Sequence, residues 1–348
     1  MKSLRKLSPA HGLALEDTPR PAPGPGEVLL RVQSTGVCGT DLHIDEWTPS
    51  YHFMTPALPV TIGHEFSGEV TTLGEGVKGF APGQLVTVRP STTCGQCAAC
   101  QAGDFDACVT RRGIGVMRDG AFAEWVRVPA RNCVPVPAGV DAEVAALAEP
   151  LTVSWESVRT GGVKQGDRVL VFGPGNIGQG IALFARAAGA RQVVVAGHDD
   201  KPRLDVLRTM GFTDLIDFAQ AGMDEGLKPY LAEGRFDVVI EATGAAAVVN
   251  AGLAALKPHG VLVITGIHAA PVAVDLTALV RQHQEIRGSY RAPEAAWPQV
   301  VAYMQDHQDT LRHMITHRMP LSQAVEGFAL ARNKLATKVM VQPGLEVL

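Results

Sequence analysis

Apolar positions fall into two textures along the chain. In the first 150 residues or so, short Val-rich runs are each bounded by Gly or Pro: "GEVLLRVQSTGVCG", "FSGEVTTLG", "QLVTVRP" and "FAEWVRVP". Runs of that length between turn residues predict strands. The turn-dense "PRPAPGPGEV" leads into the first of them. The pattern predicts an antiparallel β domain with long functional loops. Near Val163 the texture changes. "DRVLVFG", "QVVVAG", "FDVVIEATG", "GVLVITG" and "QEIRGSY" read as strands. Between them, "GPGNIGQGIALFARAAGA", "DKPRLDVLRTMG" and "AAAVVNAGLAALKPHG" read as helices, with Gly211 as a helix C-cap. Strands alternating with helices predict βαβ units and a parallel sheet, hence an α/β fold. After residue 290, "AWPQVVAYMQ" and "LSQAVEGFALARN" predict helices and "ATKVMVQP" a closing strand. The β-like segments at both ends flank one uninterrupted βαβ series. Residues 1–150 and 290–348 are therefore predicted to form one split domain around an inserted nucleotide domain, residues 151–289.

Composition adds limits. With 348 residues, 46% of them apolar, the chain has material for about two domains. A net charge of −4 argues against nucleic acid or an anionic membrane as partner. No apolar leader opens the chain and no apolar run is long enough to span a bilayer, so a soluble, cytoplasmic protein is expected. Thiols stay reduced in that compartment. This bears on the six cysteines, four of which fall between residues 94 and 108. They could form disulfides or share one metal ion. Cys94, Cys97, Cys100 and Cys108 are spaced C-x2-C-x2-C-x7-C, and the reducing compartment favours metal. Four thiolates suit the tetrahedral preference of Zn²⁺ in a closed structural site. Gly95 and Gly103 permit the turns this needs.

Gly173-Pro174-Gly175-Asn176-Ile177-Gly178 is G-x-G-x-x-G directly after a strand and at the start of a helix. In that context it predicts a dinucleotide site, with the pyrophosphate at the helix N-terminus. An acid that binds the adenosine ribose is expected at the end of the second strand. Gly197 or His198 stands there, and Asp199 and Asp200 follow one or two residues late. Two readings stay open. Asp199 reaches the ribose and the cofactor is NAD, or the vacancy near Gly197, with Lys201 and Arg203 close by, admits the 2′-phosphate of NADP. Two adjacent carboxylates would repel that phosphate, which favours NAD. Asp199 could equally be a helix N-cap.

Cys38 in "GVCGTDLHIDEW", His64 and Glu65 in "IGHEFSGEV" and Glu149 in "LAEPLTVSWESV" supply the ligand types of an open zinc site, which needs three protein ligands and one exchangeable position. Taken singly, each has a structural explanation.

Together with the four-cysteine lobe, "EPL", "GPGNIG", "IRGSY" and "ATKVMVQP", these blocks resemble the zinc-dependent medium-chain dehydrogenases, the group of alcohol, sorbitol and L-threonine dehydrogenases, over essentially the full length. The resemblance implies a GroES-like β-rich catalytic domain joined to a Rossmann doubly wound parallel sheet. It implies two zinc ions per chain, one catalytic and one structural, and hydride transfer to NAD(P). Cys38 and His64 correspond to fixed ligands of the catalytic zinc. Glu65 matches the carboxylate that binds the metal or exchanges with water there. Glu149 stands where classical alcohol dehydrogenases have a third cysteine, as in polyol and threonine dehydrogenases, so which glutamate touches zinc stays open. Thr40 and His43 match the proton relay, while Cys133 matches no motif. "EPLTVSW" and "IRGSYR" resemble polyol dehydrogenases and "CGTDLHIDEW" the threonine enzymes. The expected substrate is a small polyol, with L-threonine, a diol or a simple alcohol as alternatives. Trp47, Tyr51, Phe53 and Arg291 are candidate pocket residues. A zinc-free enone or quinone reductase and a non-catalytic nucleotide-binding protein are the readings of a different kind. The apolar strands "GVLVITG" and "EIRGSY" leave an edge that self-pairing would cover, which predicts a homo-oligomer. The resemblance favours a tetramer over a dimer.

Overall fold

The computed structural model describes residues 1–345, so the last three residues of the expected segment 290–348 lie outside the described part. The chain divides into two compact units, Met1–Glu149 with Trp297–Leu348, and Pro150–Ala296.

The second unit is a six-stranded parallel sheet. Its strands are Arg168–Phe172, Gln192–Gly197, Leu215–Asp217, Phe236–Glu241, Leu256–Ile264 and Glu285–Gly288. In chain order they stand third, second, first, fourth, fifth, sixth across the sheet. Helices cover such a sheet, so its central strands are apolar along their middles, with polar residues toward their ends. Leu170, Val194, Val239 and Leu262 are fully buried in one core with Phe172 and Phe236. The helix Asn176–Ala187 packs close to the first strand because Gly178 has no side chain: a Cβ there would lie 1.7 Å from the Gly173 carbonyl oxygen. Gly211 follows the helix Lys201–Thr209 at φ 83° and donates its N–H to the Arg208 carbonyl. One predicted helix is too long. It ends at Ala255, and Leu256 is already extended and paired with Phe236.

The first unit is built on a seven-stranded sheet. Its path runs Cys133–Pro135, Leu85–Val88, Glu65–Leu73, Glu27–Gly36, Lys338–Gln342, Ile315–Pro320, and Trp125–Pro129 also pairs with Glu27–Gly36. Val28, Leu30, Phe66, Val86 and Val88 are fully buried along one face. Burying each such side chain is worth about 1.5–3 kcal/mol. The expectation of an antiparallel domain needs correction at one edge, where Ile315–Pro320 and Lys338–Gln342 run parallel. Parallel neighbours need a crossover, and the helix Ala324–Arg332 provides it. Strands Lys2–Lys6, Ala14–Asp17 and Val60–Thr61 form a small separate sheet. No helix among the described residues is long and apolar enough to cross a membrane.

Candidate active site

Among the described residues, two groups of side chains that could hold a metal ion converge, both in the first unit. The first is Cys94, Cys97, Cys100 and Cys108, whose sulfurs all lie within 4.8 Å of one another. The short ladder between Ser91–Thr92 and Arg112–Gly113 brings the two ends of this loop together. Gly95 and Gly103 take φ of 72° and 81°, the left-handed region where a side chain is strained. All four cysteines are free thiols. Hydrogen bonds from the Thr110 hydroxyl and the backbone N–H groups of Gln96 and Cys97 push the Cys94 thiol down to about 5. Backbone N–H groups aimed at sulfur favour thiolate, the form that binds metal. The donor set fits a structural zinc.

The second group is Cys38, His64 and Glu65, again with ligand atoms within 4.8 Å. Cys38 immediately precedes the helix Gly39–Glu46, so its side chain is fixed by the helix start. Asp41, fully buried in the first turn, accepts the Cys38 N–H at 2.9 Å through Oδ2 and faces His64 Nδ1 at 3.5 Å through Oδ1. A carboxylate on one imidazole nitrogen orients the ring and leaves the other nitrogen for a metal. Burial works against protonating His64, but Asp41 and Cys38 outweigh it and hold the imidazole well above its ordinary value. Burial raises the Cys38 thiol, and Glu65 adds to this.

Glu65 comes from the start of the long strand that pairs with Glu27–Gly36. Its carboxylate forms a 2.5 Å ion pair with Lys338 Nζ, which also donates to the Val37 carbonyl at 3.0 Å. Both partners are almost wholly buried. Gly36 makes room: a Cβ there would stand 2.5 Å from Glu65 Oε2. Asp41, Glu65 and Cys38 gather here around the His64 imidazole and the Lys338 ammonium. A thiol, an imidazole and a carboxylate within reach of one another form a donor set that fits zinc. Glu149 is not among the converging atoms; it lies half-buried in the first turn of the helix Ala148–Gly161.

The Thr40 hydroxyl accepts a 3.0 Å hydrogen bond from the Tyr51 hydroxyl. The Tyr51 ring stacks on His43, with centroids 5.9 Å apart and planes within 13°. His43 Nδ1 faces the Thr48 hydroxyl at 3.4 Å. Tyr51 therefore stands beside both residues of the expected relay. Trp47 packs under the same helix end, with Lys6 Nζ 5.2 Å from its ring.

In the second unit the glycine-rich turn is shaped for phosphate. Gly173 has φ 108° and abuts Thr243, while Gly175 caps the helix and has open space where a Cβ would be. Asn176 opens the helix, and its Oδ1 is enclosed without a hydrogen-bond partner. The Ile177 carbonyl accepts from the Ser154 hydroxyl at 2.9 Å, anchoring the turn to the preceding helix. Such a turn before a 12-residue helix fits a pyrophosphate. Past the second strand, His198 and Asp199 are exposed, whereas Asp200 is buried and 3.3 Å from Arg203.

Asp41, Lys338 and Tyr51 carried no role in the sequence reading beyond Tyr51 as a pocket residue. Asp41 could have been found as the acid three residues after Cys38, the spacing of a capping contact. Lys338 lies 273 positions from Glu65, and only the fold joins them.

Two family models match the chain: the alcohol dehydrogenase GroES-like domain over residues 24–138 and the zinc-binding dehydrogenase domain over residues 176–306. An L-threonine 3-dehydrogenase of Saccharopolyspora erythraea is 35% identical over 343 residues, 98% of each chain. A sorbitol dehydrogenase of Halalkalibacterium halodurans is 32% identical over 347 residues, 99% of each. A solved structure described as a zinc-binding dehydrogenase of Sinorhizobium meliloti, bound to NADP, superposes with a TM-score of 0.87 at 30% identity, covering 98% of this chain and 99% of that one. The chain belongs to the zinc-dependent medium-chain dehydrogenases. Its two parts are of GroES-like and Rossmann type, and it is an oxidoreductase of the alcohol dehydrogenase kind.

Proposed function

We propose that this enzyme oxidises a secondary alcohol of a small polyol, with NAD as hydride acceptor. The observation that carries the reading is the convergence of the Cys38, His64 and Glu65 ligand atoms within 4.8 Å of one another. A zinc held by Cys38, His64 and Glu65 would supply the Lewis acidity that makes the alcohol proton labile, and the nicotinamide would accept the hydride. The rest falls to the chain's own groups. Thr40 Oγ takes the alcohol proton and gives up its own hydroxyl hydrogen, which passes to the His43 imidazole. Tyr51 holds the Thr40 oxygen in place and packs against His43, whose imidazole releases the proton to solvent. Asp41 keeps the His64 ring fixed, and Lys338 keeps the Glu65 carboxylate aimed. Glu149 serves as a reserve carboxylate at the start of its helix.

A neutral substrate suits this cluster. An amino acid needs a cation for its carboxylate, and the ammonium beside the trio, Lys338, is engaged by Glu65 and the Val37 carbonyl. L-threonine is the second reading, favoured by 35% identity to an L-threonine 3-dehydrogenase. Assaying sorbitol and other polyols, butanediol and L-threonine with NAD and NADP at 340 nm separates them. Turnover of polyols at least tenfold more efficient than of L-threonine is expected; the reverse order would make the protein a threonine dehydrogenase.

The remaining assignments follow from the same reading. The four-cysteine lobe holds a second, structural zinc. The unit comprising residues 1–149 and 297–348 carries the catalytic groups, and the unit between them binds the dinucleotide through Gly173–Gly178. The enzyme works in the cytoplasm as a homo-oligomer, with a tetramer favoured. Supporting self-association, Glu285–Gly288 ends the parallel sheet with a neighbour on one side only among the described residues, and Leu276, Val280, Ile286 and Tyr290 around it are exposed.

A further inference from the structure

Beside the four-cysteine lobe, wholly within the first unit, lies a cleft of about 610 Å³ to which the proposed reaction gives no role. Part of its lining belongs to the lobe: Thr93, Cys94 and Arg112. Pro59, Met117, Arg118 and Arg127 line it from the body of the unit. The folding of the chain sets these positions. The ladder between Ser91–Thr92 and Arg112–Gly113 fixes the base of the lobe, and the Thr92 hydroxyl donates to the Arg112 carbonyl at 2.6 Å. Arg127 sits on the strand Trp125–Pro129, paired with Leu29, and is exposed. Asp119, also in the lining, accepts the Thr61 N–H at 2.9 Å and so ties the cleft to the segment that runs on to His64.

The charges in the cleft are unevenly matched. Arg118 Nη2 donates to Glu27 Oε1 at 2.7 Å, and Arg127 Nη1 stands 3.9 Å from Glu27 Oε2. One carboxylate behind the cleft therefore serves two guanidiniums. Arg112 is exposed and has no carboxylate partner among the described residues. Among those residues Asp119 is the only acid in the lining, and one of its oxygens is taken by the Thr61 N–H. A carboxylate ligand offers two oxygens in one plane, which a single guanidinium fork fills; a phosphate offers three oxygens in three directions and engages several forks. Thr93 adds a hydroxyl to the same lining, while Pro59 and Met117 give it an apolar part. We infer that this cleft binds a small phosphate monoester, its phosphate against Arg112 and Arg127 and its carbon skeleton against Pro59 and Met117. Arg118, held by Glu27, completes the cationic side. An ester bound there touches both the lobe and the body of the unit, and so braces one against the other.

Isothermal titration calorimetry at fixed ionic strength tests this on the zinc-loaded enzyme, with NADH present so that the glycine-rich turn is occupied. The probes are ethyl phosphate, which has no alcohol hydroxyl for the catalytic site, and inorganic phosphate. Ethyl phosphate should bind at one site per chain, about threefold or more tighter than inorganic phosphate, the gain from burying roughly one methylene. Arg112→Ala and Arg127→Ala change exposed residues, so both variants should keep the wild-type circular dichroism. Each should weaken ethyl phosphate by about tenfold or more, the range for losing a hydrogen bond to a charged group. Arg235→Ala removes an exposed arginine outside the lining and should leave the affinity within about twofold, because charges out of contact are screened. No saturable binding below about 10 mM would overturn the inference. So would an affinity that Arg112→Ala and Arg127→Ala leave unmoved, or one that Arg235→Ala lowers equally. Inorganic phosphate binding as tightly as the ester would overturn the assignment of the carbon skeleton to Pro59 and Met117.

Discussion

Lys338 is a single residue on which a whole cluster depends. Its ammonium is buried against the Glu65 carboxylate, and removing one partner of a buried pair costs about 3–5 kcal/mol because the other charge is left uncompensated. Lys338→Met should therefore lower the stability of the metal-free enzyme by that order in urea denaturation, while the double change with Glu65→Gln should recover much of it. Equal losses in the single and double variants would show that the pair is not energetically coupled. Tyr51 makes a smaller, chemical contribution. Tyr51→Phe removes the 3.0 Å hydrogen bond to Thr40 and should lower kcat by roughly tenfold with KM little changed, whereas Thr40→Val should lower kcat by about 10²- to 10⁴-fold. A fall confined to KM would move Tyr51 from the relay to substrate binding. At this scale much of the site was legible. Cys38, His64 and Glu65 were grouped by the family resemblance, which left open whether Glu65 or Glu149 completes the set; the convergence of the first three is a product of the fold. That Asp199 faces outward and Asp200 inward could not be read, because the left-handed step at Asp199 that sets it is a backbone property of two identical side chains.

Two loops and one strand carry the metal groups, and they differ in what losing a group does. The four-cysteine lobe closes a loop with few buried apolar contacts, so its metal contributes folding energy. Cys97→Ser should lower the melting temperature and the zinc content by one ion per chain. Cys38→Ser and His64→Ala should abolish turnover yet leave the fold and the other zinc in place, as measured by circular dichroism and metal analysis. The opposite pattern would exchange the roles of the two sites. Along the strand Glu27–Gly36, the last position is as constrained as any ligand. Gly36→Ala would press a methyl group to 2.5 Å from Glu65 Oε2, so zinc affinity should fall although no ligand is altered. Unchanged zinc binding in a competition titration with a chelator would count against that constraint. Elements were readable where apolar runs met Gly or Pro, as in the parallel strands. Ile315–Pro320, "ITHRMP", escaped notice because its exposed positions are polar and its place is set by pairing with Lys338–Gln342. The helix ending at Ala255 was over-extended because "LKPHG" gives no sharp stop before the chain turns extended.

At the scale of the molecule, the open sheet edge at Glu285–Gly288 makes the assembly testable. Ile286→Asp and Val280→Asp place charges among the exposed apolar residues beside it, and light scattering should report a smaller species than the wild type. A wild type that already runs as a monomer of 36.8 kDa at micromolar concentration would refute self-association. The two-unit plan was visible in the change of texture near Val163, because each unit has its own periodicity. The return of the chain into the first unit was visible only as a trailing strand pattern. That return has a consequence for biosynthesis. The ribosome delivers Cys38, His64 and Glu65 early and Lys338 some 273 residues after Glu65. Until then the Glu65 carboxylate is without its internal counterion, and the strand that will seat Lys338 beside Gly36 has not been made. The growing polypeptide can present ligands to a cation, but the enclosed, charge-balanced form of the centre is a product of the finished chain, so a translation product halted before Lys338 carries every ligand of the trio and lacks the finished centre.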